Sequence, residues 1–279
     1  MKSVLKVTLI AVALSATVGM QGCKSIQTTQ SGAVGVERKQ RMLPDFLLSA
    51  QQVNEMSAQS YAATIQQANA GGTLDTDKKN LARLRKIADR LIDQVPQFRA
   101  DAADWDWEVH LENRDELNAY CAPGGKIMFF TGIINQLKLT DDEIAQIMGH
   151  EIAHALREHG RERMSEAYVQ QMGMQLLLKS GKVSAERLDV AQKLTNVAIS
   201  LPNSREHEAE ADRVGLELAA RSGFNPNAAV SLWQKMASAS QGQPPQFLST
   251  HPSHESRIAD LQSKIPKVMP LYQAAAKKR

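Results

Sequence analysis

Apolar positions recur at helical spacing along most of this chain. From Asp45 to Asn69, Phe46, Leu47, Val53, Met56, Tyr61 and Ile65 mark one helix, which stops at Gly71-Gly72. Asp77 to Val95 forms a second, with Leu81, Leu84, Ile87, Ala88, Leu91 and Ile92 on one stripe and Pro96 beyond its end. Trp107-Glu108-Val109-His110-Leu111 alternates as a strand does. Lys126 to Thr131 is an apolar, β-prone run entered through Pro123-Gly124-Gly125. Helical patterns then dominate. Met164, Met172 and Met174 are expected in the core, with a cleft lining as the alternative, and Trp105, Trp107 and Trp233 in core or hairpin packing. The pattern predicts an α+β fold, predominantly α-helical, with a small β-sheet.

One helix carries chemistry. Thr140-Asp141-Asp142-Glu143 is a capping box, and Gly160 after His159 supplies a stop, which leaves a helix of about 19 residues between them. Inside it lies His150-Glu151-Ile152-Ala153-His154. At about 100° per residue, His150 and His154 share a face with Glu151 beside them, while Ile144, Met148, Ile152 and Ala155 take the opposite, core-facing side. Two imidazoles one turn apart converge on a tetrahedral zinc, and the adjacent carboxylate reaches a water there. Seven His and the chain's glutamates yield about 0.01 such matches by chance.

A catalytic zinc needs a third protein ligand. Asn203-Ser204-Arg205-Glu206-His207-Glu208-Ala209-Glu210-Ala211-Asp212 opens a helix that Asn203 or Ser204 can cap, running to Arg221 and closed by Gly223. Glu208 and Asp212 share a face, so one carboxylate can bind metal while the other accepts a hydrogen bond from a ligand imidazole. Spacing alone leaves Glu206, Glu208 and Glu210 open as the ligand.

Composition closes other questions. The 279 residues allow one large or two small domains, and 43% hydrophobic residues exclude wholesale disorder. A net charge of +3 gives no case for nucleic acid, and two cysteines build neither a disulfide framework nor a four-thiolate site. Lys2, Lys6 and the apolar run Val7–Val18 read as a signal peptide over 1–22. Val18-Gly19-Met20-Gln21-Gly22-Cys23 resembles a bacterial lipobox, which implies lipidation at Cys23; Met20 and Gln21 depart from its usual residues, and plain secretory cleavage is the alternative. Removing Lys2 and Lys6 brings the charge to +1. Cys121 then has no intrachain partner and reads as structural. Residues 23–43 read as the lipidated Cys and a polar tether, 44–268 as the catalytic domain and 269–279 as a flexible basic tail.

His-Glu-Ile-Ala-His followed by Ser-Arg-Glu-His-Glu-Ala-Glu-Ala-Asp resembles the zinc metallopeptidase family that contains HtpX, BepA, LoiP and the CAAX prenyl proteases. Asn118–Gly125 and Thr250-His251-Pro252-Ser253-His254-Glu255-Ser256-Arg257-Ile258 are further matches, in the family's order, and the resemblance covers roughly residues 75–265. It implies a zincin-like domain with one zinc held by His150, His154 and Glu208, with Asp212 behind them and Glu151 as general base. It places His251 near the metal, stabilising an oxyanion or blocking the open position. It puts the Lys126–Thr131 strand at the edge of the cleft, where a substrate backbone could pair. Arg205 is expected either to pair with a site carboxylate or simply to begin its helix, and His207 and His254 to lie on the surface. Lys24 after the cysteine looks like an outer-membrane address. The chain lacks the multiple spans of HtpX and the prenyl proteases and the helical-repeat domain of BepA. The expected function is therefore a lipid-anchored zinc metalloendopeptidase of the bacterial periplasm, with misfolded envelope polypeptides as substrates and no nucleic-acid partner. A latent, chaperone-like lipoprotein of the same fold and a zinc hydrolase of non-peptide bonds are the alternatives.

Overall fold

A computed structural model of the protein describes residues 23–179, 204–239, 247, 249, 251 and 255–277. Residues 1–22, read above as a signal peptide, together with Asn203, Thr250, residues 252–254 and the last two residues, lie outside the described residues. In chain order the elements are β1 (Lys24–Ile26), β2 (Gln40–Met42), α1 (Ala50–Ala70), α2 (Lys78–Ile92), β3 (Glu108–Glu112), β4 (Ala119–Ala122), β5 (Lys126–Phe130), α3 (Thr131–Gln136), α4 (Asp141–Leu156), α5 (His159–Lys179), α6 (Arg205–Arg221), α7 (Ala228–Ala239) and α8 (Glu255–Ala276). Helices with small sheets make this an α+β fold, as the pattern predicts. No helix among the described residues is long and apolar enough to cross a membrane.

The chain divides into two compact units. In the smaller, β1 pairs antiparallel with β2, Lys24 opposite Met42. The first turns of α5 satisfy the irregular backbone of 39–50: Glu162 accepts from the Arg41 amide at 2.8 Å, Ser165 Oγ from the Leu43 amide at 3.1 Å, and Arg161 donates to Leu48 O at 2.9 Å. Polar side chains therefore take the buried side of this helix. Met164 is half-buried and Met172 exposed, not in the core as expected, and the Met174 side chain is outside the described residues.

In the larger unit α4 is the centre, buried from Glu143 to Leu156, with Ile144, Met148, Ile152 and Ala155 in the core as their spacing predicts. Thr140 and Glu143 form the expected capping box. The other end differs from the expectation. The helix stops at Leu156, Glu158 takes a left-handed φ of 53°, and Gly160 lies inside the next helix. Arg99 makes that break possible: its Nη1 donates both to Leu156 O at 3.2 Å and to Glu158 Oε1 at 2.6 Å.

The sheet order is β3-β5-β4, with β3 parallel and β4 antiparallel to β5. Lys126–Phe130 is thus the central strand, paired on both sides and buried along its length. The edge strand that flanks α4 is instead β4, Ala119–Ala122. α1 crosses β5, where Tyr61 Oη donates to Ile127 O at 2.6 Å. α4 and α6 touch backbone to backbone. An ideal Cβ on Gly215 would lie 2.6 Å from His150 N, and one on Gly149 would lie 2.9 Å from Gly215 O.

Two segments expected to be loose are packed. Residues 27–38, read as tether, form a strap along the larger unit, with Val34 and Val36 in its core. The Val34 amide donates to Glu217 at 3.0 Å, and the Gln30 amide to Phe98 O at 2.8 Å. At Gly32, with φ of 64°, the Glu217 carboxylate fills the space a Cβ would need. At the other end α8 runs to Ala276, so most of the supposed tail is helix. Leu271 and Tyr272 continue the stripe of Leu261, Ile265 and Val268 against the core.

Candidate metal centre

α4 and α6 bring the site together. Ser204 caps α6 by accepting from the His207 amide at 3.1 Å, which starts the helix in the register that turns Glu208 and Asp212 toward α4. His150 Nε2 and His154 Nε2 lie 3.1 Å apart. The Glu208 carboxylate sits 3.5 Å from the first and 3.4 Å from the second. One ligand atom each from His150, His154, Glu208 and His251 falls within 4.8 Å of all the others, and all four residues are buried. Neither oxygen of Glu208 completes a hydrogen bond despite its burial. Two imidazole nitrogens and a buried carboxylate gathered at one point fit a cation, and this donor set suits zinc.

Around them lie the groups that orient. Asp212 Oδ1 is 3.0 Å from His150 Nδ1. Arg257, from α8, grips Asp212 with Nε and Nη2 at 2.7 Å each, places Nη1 2.8 Å from Glu208, and stacks 3.9 Å from the Trp233 ring centroid. Burial opposes charge on all of these. The His150 and His154 imidazoles nevertheless hold Glu208 far below the usual carboxylate range, and Arg257 lowers Asp212. For His150, burial is outweighed by Asp212 and Glu208, and its value rises to about 9.

Glu151 stands beside the cluster. Burial pushes its carboxyl up to about 8, opposed by the positive charge of His150 and a hydrogen bond from the Cys121 amide, with the charge of Glu208 adding to the rise. Cys121 is buried on β4, and burial drives its thiol well up, the environment of an inert cysteine. His251 stacks on Phe247 at 4.5 Å and holds Nε2 3.4 Å from Glu151 Oε1. Burial keeps its imidazole well below the ordinary value.

Of the residues expected at the site, His150, Glu151, His154, Glu208, Asp212 and His251 come together. Arg205 does not. It is exposed at the first position of α6, and the guanidinium beside the carboxylates belongs to Arg257. His207 is buried rather than on the surface, stacked on His159 at 4.4 Å. Arg257 and His159 are the groups that sequence reasoning missed, and Glu210, left open there as a ligand, instead pairs with Arg157 and His159. Arg257 stands within a quoted family motif, and His159 lies five residues past His154, at the start of the next helix.

Two histidines a turn apart, a carboxylate from a second helix and a glutamate beside them define a zincin-type metallopeptidase site. The profile of Peptidase family M48 matches residues 78–265, and the chain belongs to that family of zinc metallopeptidases. It is similar to mitochondrial metalloendopeptidase OMA1 of Schizosaccharomyces pombe, 35% identical over 170 residues that make up 59% of this chain and 48% of that protein. Human OMA1 is 30% identical over 239 residues, 80% of this chain and 44% of the relative. The beta-barrel assembly-enhancing protease of Yersinia pestis is 26% identical over 250 residues, 85% of this chain and 50% of the relative. The chain thus spans about half or less of the length of these relatives.

Proposed function

We propose that the protein is a zinc-dependent endopeptidase whose metal is held by His150, His154 and Glu208. The convergence of these three side chains beside Glu151 carries the reading. Bound zinc supplies Lewis acidity, which lowers the pKa of water and polarises a scissile carbonyl. Glu151 removes a proton from the attacking water and returns it to the leaving amine, a role suited to a carboxylate that stands beside the ligand atoms. Asp212 orients His150, and Arg257 orients both Asp212 and Glu208. A substrate backbone pairs with β4, an edge strand whose Cys121 amide already meets Glu151.

The leader-like residues 1–22 and the lipobox-like residues before Cys23 support a protein of the bacterial periplasm anchored by lipid to the outer membrane, with misfolded envelope proteins as substrates. The likeness to a bacterial assembly-enhancing protease supports the same placement, while the OMA1 relatives are mitochondrial. His251 favours a second reading, latency, because its ring stands among the ligand atoms as a fourth donor.

Zinc content and casein cleavage of the purified protein beside Glu151→Gln test the proposal. One zinc in both, with cleavage only in the parent and a loss of about 10²–10⁴-fold in the variant, is the expected result. Zinc in both without cleavage by the parent supports latency. Absence of stoichiometric zinc in both overturns the metal assignment.

A further inference from the structure

Behind the candidate metal centre lies a second buried polar cluster that the proposed reaction does not use. His159 opens α5, Arg157 follows the end of α4, His207 and Glu210 stand in the first turns of α6, and Arg38 ends the strap. His159 Nδ1 is 2.8 Å from His154 Nδ1, and His159 Nε2 is 3.1 Å from Glu210 Oε2. Glu210 is also held by Arg157, from Nε at 3.1 Å and Nη2 at 2.8 Å, and by Arg38. The His207 ring lies 4.4 Å from His159 at 18° and fixes the plane of that imidazole.

The proton positions in this chain follow from donor and acceptor chemistry. A carboxylate between two guanidinium groups can only accept, so His159 Nε2 carries a proton. Two Nδ1 atoms at 2.8 Å need one proton between them. A neutral His159, with its single N–H already spent on Glu210, offers a lone pair at Nδ1. His154 Nδ1 must then be the donor. That choice leaves the lone pair of His154 on Nε2, the atom that faces His150 Nε2 and Glu208.

We propose that Glu210 and His159 are positioning residues: through a Glu210–His159–His154 hydrogen-bond chain they lock His154 in the Nδ1–H tautomer and thereby raise its affinity for a divalent transition-metal cation. The proposal rests on the metal site described above and assigns roles to residues outside it. Arg157 and Arg38 hold the far end of the chain, and His207 keeps the middle ring flat against it.

Zinc affinity by chelator competition, on the parent, His159→Phe and His159→Asn, tests the chain. His159→Phe keeps a ring of similar size and removes both hydrogen bonds, and is expected to bind zinc about 10–100-fold more weakly. His159→Asn, which can still accept from His154, is expected to recover part of the loss. A folded His159→Phe protein that binds zinc as tightly as the parent overturns the proposal and leaves the metal site standing. A parent without stoichiometric zinc overturns both. Imidazole ¹H–¹⁵N spectra of the zinc-loaded parent need no variant to fold: His154 is expected as the Nδ1–H tautomer and His159 as the Nε2–H tautomer. A His159 protonated at Nδ1 overturns the proposal.

Discussion

Glu143 does several things in the first turn of α4. Its carboxylate closes the capping box on Thr140, accepts from Ser231 Oγ at 2.8 Å and pairs with Lys235 at 2.7 Å, so one side chain ties α4 to α7. Burial opposes its ionisation, but Lys235, the Thr140 amide and Ser231 outweigh that and hold the carboxyl below its ordinary value of 4.5. A depressed carboxyl stabilises the fold above its unfolded value, and the contribution is lost as the pH falls through the folded one. Glu143→Gln is expected to cost roughly 1–2 kcal/mol at pH 7, with the gap to the parent shrinking toward pH 3 in urea titrations. A gap that does not change with pH contradicts that account. The same scale shows what a sequence makes legible. His150, Glu151 and His154 could be read because three side chains on one helical turn have a fixed relation. Arg205 was a fair candidate by proximity in sequence to Glu208, yet the first position of a capped helix points it outward. The position beside the carboxylates is filled by Arg257, and no local spacing links α8 to α6.

Helix contact is set where two glycines meet. Gly149 and Gly215 let α4 and α6 approach until backbone touches backbone, at the residue preceding His150. Gly215→Ala is expected to destabilise the protein by about 1–3 kcal/mol and to weaken zinc binding as well, because the added methyl pushes against the His150 amide. Unchanged melting and unchanged zinc affinity would refute the close-contact argument. Periodicity gave both helices, and their N-terminal caps are written locally by Thr140, Glu143 and Ser204. It gave the β5 strand but not its place in the sheet. An all-apolar run marks a strand buried on both faces, which suits a centre better than an edge. The break at Glu158 was hidden for a similar reason. Gly160 is the obvious stop, but Arg99, far away in sequence, caps the carbonyl at Leu156 and holds the turn two residues earlier.

Across the larger unit, the strap at 27–38 was hardest to foresee. It is polar apart from its glycines, Ala33, Val34 and Val36, and polar stretches near a chain end read as tether. What holds it is complementarity with groups already buried, Thr29 on Arg157 and Arg38 on Glu210, and no hydrophobic pattern reports that. Val34→Ala with Val36→Ala is expected to cost on the order of 1–2 kcal/mol per site, read as a lowered melting temperature. A melting temperature equal to the parent's would mean that the segment is a tether after all. The match to the family profile begins at residue 78, well past the strap and past α1, whose Tyr61 holds the central strand. A fragment cut where that match starts would leave Glu210 short of one guanidinium and open the space that Val34 and Val36 fill. The stretch by which this protein is recognised is shorter than the stretch that has to be made in one piece for it to hold together.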